Sequence, residues 1–227
     1  MQFRSAADVS DIDLRNKSLM VDGIETLRAA TMILATGASP RALGVPGEKE
    51  LAGRGISYCA TCDAKYYQDK DVIVIGGGNS AVEESLFITR FASRVTMVHQ
   101  LEELTANKVA AERANADPKI SIRYLAEPRG FTRLESGRMG VEIEDLATHQ
   151  RTTLDADGVF VFVGMVPNTA GFGDELVHDA WGYISTDENM RTNLPAVYAV
   201  GDLRSKRIRQ LTTAVADGTI AAVVISQ

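Results

Sequence analysis

Val72-Ile73-Val74-Ile75 is an unbroken run of β-branched residues that passes directly into Gly76-Gly77-Gly78-Asn79-Ser80-Ala81. A strand with one wet face alternates polar and apolar residues. A run with no polar residue suits a parallel strand covered on both faces. The glycine turn leads into a helix expected to reach about Arg90, with Val82 and Leu86 four residues apart on one face. Val95-Thr96-Met97-Val98 reads as the next strand, residues 103–114 as a second helix rich in Ala and Glu, and Ile120-Ser121-Ile122-Arg123 as a third strand. Strand, helix, strand, helix, strand is a doubly wound unit. Beyond Glu127 the pattern alternates around Arg133 and through Val141-Glu142-Ile143-Glu144, a small antiparallel insert. Val159-Phe160-Val161-Phe162-Val163-Gly164 then returns to a buried strand.

Residues 1–58 read as irregular and strand-rich. Ser18-Leu19-Met20-Val21, the turn signal Asp22-Gly23, and Glu25-Thr26-Leu27-Arg28-Ala29 make a hairpin. Met32-Ile33-Leu34-Ala35 is a short apolar run stopped by Thr36-Gly37, and Pro40, Gly44, Pro46 and Gly47 mark a loop suited to a crossing between domains. The last fifty residues hold Val197-Tyr198-Ala199-Val200-Gly201-Asp202 and a closing helix from about Leu211 to Ser226.

Cys59-Ala60-Thr61-Cys62, followed by Asp63, contains the only two cysteines of the 227 residues. Two thiols at this spacing, beside a carboxylate, suit a disulfide that is reduced and reoxidised, because turn dipoles and neighbouring charges populate the reactive thiolate near neutral pH. Half of a structural zinc site is the competing reading. It needs two further ligands, and His99, His149 and His178 are scattered without ligand spacing, so no metal site is expected. One Cys-x-x-Cys without a disulfide framework fits a reducing cytosol, and the N-terminus Met-Gln-Phe-Arg-Ser lacks the apolar stretch of a signal peptide. A formal charge of −6, from 24 Lys and Arg against 30 Asp and Glu, gives no general reason to bind nucleic acid or an anionic membrane. No apolar run approaches the length of a bilayer span. The expectation is a cytoplasmic protein.

Gly76, Gly78 and Ala81 form G-x-G-x-x-A at a strand-to-helix turn. The first glycine permits the turn, the second lets backbone approach a pyrophosphate, and the small third residue lets helix and strand pack. A doubly wound domain that keeps the loop for packing alone is the alternative. The next strand ends in His99-Gln100-Leu101-Glu102-Glu103-Leu104-Thr105, where an acidic residue would hold NAD ribose hydroxyls and arginines a 2′-phosphate. There is no arginine, and the glutamates, which would repel a phosphate dianion, are not at the strand tip. They also suit a solvated helix start.

Ala35-Thr36-Gly37-Ala38, Gly55-Ile56-Ser57-Tyr58-Cys59-Ala60-Thr61-Cys62-Asp63 and Val74 to Glu84 through the glycine loop carry a resemblance to the low-molecular-weight flavoprotein thioredoxin reductases. Val163-Gly164, Pro167-Asn168-Thr169, Val200-Gly201-Asp202 and Arg209-Gln210 continue it in order over almost the whole chain. The resemblance implies an α/β, two-domain fold, with FAD- and NAD(P)-binding doubly wound domains and antiparallel β inserts. Residues 1–61 and 191–227 would be parts of a split FAD domain, and 62–190 the NAD(P)-type domain carrying the Cys-x-x-Cys. It implies that Cys62 faces the flavin, that Cys59 attacks the disulfide of thioredoxin, and that Asp63 gives a proton to the departing thiolate. A helix cap or turn residue is the plainer reading of Asp63. Asn79 and Ser80 belong to the nucleotide loop, and Thr36, Gly37, Gly164, Gly201, Asp202, Arg209 and Gln210 are candidate cofactor contacts. For Arg209, crowded by Arg204, Lys206 and Arg207, a surface cation is the plainer reading. Members are usually homodimers, and their two domains rotate so that disulfide and nicotinamide take turns at the flavin.

Two departures qualify these expectations. The family opens with an FAD-binding βαβ unit, and no G-x-G-x-x-G/A precedes residue 76. The FAD domain is therefore expected to be incomplete, the chain on its own to bind FAD poorly or not at all, and a non-catalytic fragment stands as an alternative. The family's NADPH signature H-R-R-x-x-x-R stands here as His99 to Thr105 with every arginine replaced. Weak NADPH use follows, with NADH or reduced ferredoxin as the electron donor in its place. A ferredoxin-dependent reductase with no nucleotide site is the corresponding alternative.

Overall fold

The computed structural model describes residues 2–227, which pack as two units: Pro40–Gly164, and residues 2–39 with Met165–Gln227. In the first unit, alternation inside the apolar run sets the layering. Val72 and Val74 join one core with Ala81, Val82, Ile88, Val95, Met97, Ala110 and Ala114. Ile73 and Ile75 join another with Phe131, Met139, Val141 and Ile143. A five-stranded parallel sheet thus lies between two helices and an antiparallel sheet. Its order is Ile56–Ser57, Gly158–Val161, Asp71–Ile75, Arg94–Val98, Ile120–Arg123. The antiparallel layer has three strands, Ala126–Arg133, Met139–Asp145 and Arg151–Ala156.

The helix after the glycine loop spans Asn79–Ile88. The second helix runs Lys108–Ala116, later than the expected 103–114. The shift has a tertiary cause. Thr105 N–H donates to Gly77 O at 2.9 Å, which holds residues before 107 as loop, and the Asn107 side chain caps the helix by accepting from Ala110 N–H at 3.0 Å.

In the second unit the expected hairpin pairs Ser18–Val21 with Glu25–Arg28, and Val9–Asp13 adds a third strand. Met32–Leu34 lies parallel to Val197–Ala199, and the closing helix is Leu211–Ser226. Leu14, Leu34, Phe172, Leu176, Ile184, Val197 and Leu203 fill its core. The units change at residues 39–40, at the start of the loop that Pro40 opens and that the sequence marks as suited to a crossing, and at 164–165. Strand Ile56–Ser57 joins the parallel sheet beside Gly158–Val161, and Phe172, Leu176 and Ile184 bury against Leu14 and Leu34. No helix among the described residues is long and apolar enough to cross a membrane.

Candidate active site

Loops that follow the carboxyl ends of parallel strands are where doubly wound sheets place their chemistry. Cys59 follows Ile56–Ser57, Gly76 follows Asp71–Ile75, His99 follows Arg94–Val98, and Gly164 lies just past Gly158–Val161. The disulfide-bearing strand sits two strand spacings, about 10 Å, from the glycine-loop strand.

Cys59 and Cys62 form a disulfide, with Cα atoms 5.3 Å apart. Cys59 caps the single turn Ala60–Asp63, and its Sγ accepts from Cys62 N–H at 3.3 Å and lies 3.4 Å from Thr61 Oγ1. Asp63 completes the turn, its N–H donating to Cys59 O at 3.2 Å. Its Oδ2 accepts from the Ser57 hydroxyl at 2.6 Å, and Ser57 Oγ accepts from Cys59 N–H at 3.1 Å. Ser57 is buried. Burial, and after it the Asp63 charge, raises the Tyr67 pKa, and the Tyr67 ring meets Phe160 edge-on at 5.4 Å. Tyr58, beside Cys59, donates to buried Glu48 at 2.9 Å, and burial together with that carboxylate pushes its pKa up to about 12.

The glycine loop borders a cleft of about 570 Å³ lined by Gly76, Gly78, Asn79, Ser80 and Gly164, and also by Arg41, His99, Gln100, Thr105 and Glu127. Gly76 has φ +126°, and a Cβ there would stand 2.3 Å from Phe162 O. Gly78 is different: a Cβ there would meet nothing nearer than Thr105 Oγ1 at 3.7 Å. Helix Asn79–Ile88 has neither a side-chain cap nor an acidic residue in its first turn, so its leading N–H groups are free for an anion. Asn79 Oδ1 accepts from Asn107 N–H at 2.7 Å and so ties this turn to the second helix. Ala81 does not line the cleft. It is fully buried and packs helix to strand.

His99 is buried, and burial lowers its pKa, so the ring is neutral with Nε2–H donating to Glu103 O at 3.0 Å. The ring lies over Gly77, where a Cβ would come within 2.4 Å of it. The histidine thus packs the loop, and the strand tip presents no cation.

In the second unit Thr36 Oγ1 donates to Asn168 O at 2.7 Å while Asn168 Nδ2 donates to Thr36 O at 2.8 Å, a clip completed by Asn168 N–H to Gly37 O at 2.9 Å. Gly201, at φ +71°, donates to Asp217 Oδ2 at 3.0 Å. Buried Asp217 also pairs with Arg204 at 3.3 Å and Lys206 at 3.0 Å. Asp202 Oδ1 is buried without a hydrogen-bond partner among the described residues, with Lys206 Nζ 3.8 Å away. The Arg209 guanidinium stacks 3.7 Å over the Tyr183 ring, and its buried Nε also lacks a partner among the described residues. Gln210 caps Leu211–Ser226 in a reciprocal capping box with Thr213. The orphaned Asp202 oxygen asks for a hydroxyl donor and the Arg209 Nε–H for an acceptor, which fits a polyhydroxylated flavin side chain.

Sequence reading did not single out Ser57, Arg41 or the Asp217 cluster. Ser57 had one usable signal, a hydroxyl at a strand end two residues before the first cysteine. Asp217 had another, a lone carboxylate inside an otherwise uncharged helix. Arg41 had none beyond its nearness to the crossing loop.

The family model described as pyridine nucleotide-disulphide oxidoreductase matches residues 1–218. The thioredoxin reductase of Peptoclostridium acidaminophilum is 42% identical over 224 residues, 94% of this chain and 70% of the relative. That of Listeria monocytogenes is 40% identical over 210 residues, 92% of this chain and 66% of the relative. The crystal structure of Lactococcus lactis thioredoxin reductase superposes with a TM-score of 0.78 at 36% identity, over 96% of this chain and 71% of that one. The chain belongs to the pyridine nucleotide-disulphide oxidoreductase family.

Proposed function

We propose that this member of the pyridine nucleotide-disulphide oxidoreductase family is an FAD-dependent thioredoxin-disulfide reductase working through Cys59 and Cys62. The carrying observation is the disulfide with Asp63 held beside it by Ser57. The names of the relatives support thioredoxin as the partner.

The turn itself favours Cys59 as the attacking sulfur. The Cys62 N–H points at Cys59 Sγ, and a donor at that position stabilises a thiolate. In the dithiol form Cys59 attacks the partner disulfide, forming a mixed disulfide and expelling one partner thiolate, which takes a proton from Asp63. Cys62 then attacks Cys59 sulfur and releases the second partner thiol, restoring the internal disulfide. FAD, when bound, supplies the electron pair that reopens the Cys59–Cys62 bond. Thr36, Gly37, Gly201, Asp202, Arg209 and Gln210 are the residues we assign to it. Gly76, Gly78, Asn79, Ser80 and Gly164 are assigned to a nucleotide pyrophosphate. The neutral His99 and the uncharged Gln100 leave a 2′-phosphate without a guanidinium at the strand tip, which supports NADH, or reduced ferredoxin, over NADPH as donor. The proposal extends to a homodimer in a reducing cytosol.

Two assays test this reading. The chain is reduced with dithiothreitol, desalted and mixed with oxidised thioredoxin. One thioredoxin dithiol per chain is expected, and no thiol transfer overturns the reading. Anaerobic flavin reduction of FAD-loaded protein with NADPH, NADH and reduced ferredoxin in parallel identifies the donor, and rapid reduction by NADPH at physiological concentration contradicts that part.

A further inference from the structure

Ser57 is buried on the edge strand of the parallel sheet, where its backbone is fixed beside Phe160. Its oxygen faces three groups. It accepts from Cys59 N–H at 3.1 Å, and its single proton has two acceptors, Asp63 Oδ2 at 2.6 Å and Cys59 O at 3.3 Å. The shorter contact, to a carboxylate oxygen, is the stronger. With a lone pair engaged by Cys59 N–H, the Ser57 O–H is aimed at Asp63 Oδ2. That oxygen is an acceptor throughout, so a proton carried by Asp63 resides on Oδ1, which receives no hydrogen bond from the described residues.

We propose that Ser57 is a positioning residue that, by holding Asp63 Oδ2, reserves Asp63 Oδ1 as the proton-bearing oxygen. The proposal rests on the reading of Asp63 as proton donor. As a partner S–S bond breaks, the departing thiolate takes the Oδ1 proton, and the new carboxylate keeps the Ser57 hydrogen bond at Oδ2. The partner disulfide gains two electrons and the Cys59–Cys62 dithiol loses them, so no further reactant is needed.

The test uses leaving groups of different basicity. A strongly acidic thiol leaves without a proton, whereas an alkyl thiol needs one. The dithiol form of the full chain, and of its Ser57→Ala, Ser57→Thr and Asp63→Asn variants, is mixed with the disulfide of thionitrobenzoate and, separately, with hydroxyethyl disulfide. Ser57→Ala is expected to slow reduction of hydroxyethyl disulfide about tenfold while the thionitrobenzoate rate stays within about twofold. Ser57→Thr is expected to restore the rate, and Ser57→Ala to add nothing in an Asp63→Asn background. Equal slowing toward both disulfides would make Ser57 a structural pin only and overturn the proposal. If Asp63→Asn itself slows both disulfides alike, or neither, the reading of Asp63 as acid fails, which is a distinct outcome.

Discussion

Two glycines of one loop are expected to respond to alanine with opposite signs. Gly76 sits at φ +126°, and a Cβ there would be 2.3 Å from Phe162 O and 3.1 Å from Ala81 Cβ. Backbone strain in such a region costs about 1–3 kcal/mol. The obstructing atom is the backbone carbonyl of Phe162, just past the neighbouring strand, so relief requires a shift of packed structure, about another 1–3 kcal/mol. Gly76→Ala should therefore destabilise by about 2–6 kcal/mol and lower the unfolding midpoint by on the order of 10 °C. Gly78 has φ −82° and ψ −177°, ordinary extended backbone, with only Thr105 Oγ1 at 3.7 Å from a built Cβ. Gly78→Ala should leave the fold intact or stabilise it by about 0.4–1 kcal/mol through the unfolded chain. Its methyl group would stand in the cleft where a pyrophosphate must approach backbone, so NADH binding should weaken about tenfold or more. Thermal unfolding and fluorescence titration with NADH separate the two effects. A Gly76→Ala protein that melts with the wild type would refute the packing argument. A folded Gly78→Ala protein that binds NADH normally would refute the cleft argument.

Asp217→Ala should destabilise by about 3–5 kcal/mol in urea unfolding, because Arg204 and Lys206 lose their shared buried carboxylate; wild-type stability would show the cluster to be dispensable. For His99, burial lowers the folded-state pKa below the ordinary 6.5. The unfolded chain then takes the proton first, so stability from the neutral ring is full above pH 6.5 and is lost as pH falls below it. Urea midpoints measured across this range should drop on the acid side, and His99→Asn should flatten the drop. Gln100 lines the cleft at the strand tip, so Gln100→Arg should improve NADPH affinity relative to NADH about tenfold by paired titrations. An unchanged ratio would place the ribose elsewhere.

Much of the first unit is legible because its signals are local. The run Val72–Ile75, the glycine turn and the β-branched strands after it carry their fold in their own periodicity. The second helix is displaced because tertiary bonds, Thr105 to Gly77 and Asn107 to Asn79, hold chain that composition alone would make helical. The crossing at Pro40 shows in the Pro and Gly residues of its loop, whereas the place of strand Ile56–Ser57 is hidden: it is only two residues long, and its membership in the parallel sheet depends on pairing with residues a hundred positions later. In the site, the cysteines and glycines stand out because their chemistry is rare. Ser57 does not, since one serine is indistinguishable from another until its partners at 2.6 and 3.1 Å are known.

The central claim, that Cys59 meets thioredoxin and Cys62 resolves, comes down to one trapping measurement. A thioredoxin that keeps only its exposed cysteine, activated as the mixed disulfide with thionitrobenzoate, is added to Cys59→Ser and Cys62→Ser chains. Coloured thiolate release and the mass of the adduct are recorded. The account predicts one thionitrobenzoate released and one covalent adduct through Cys59 in the Cys62→Ser chain, with little of either in the Cys59→Ser chain. Faster adduct formation through Cys62 would contradict it.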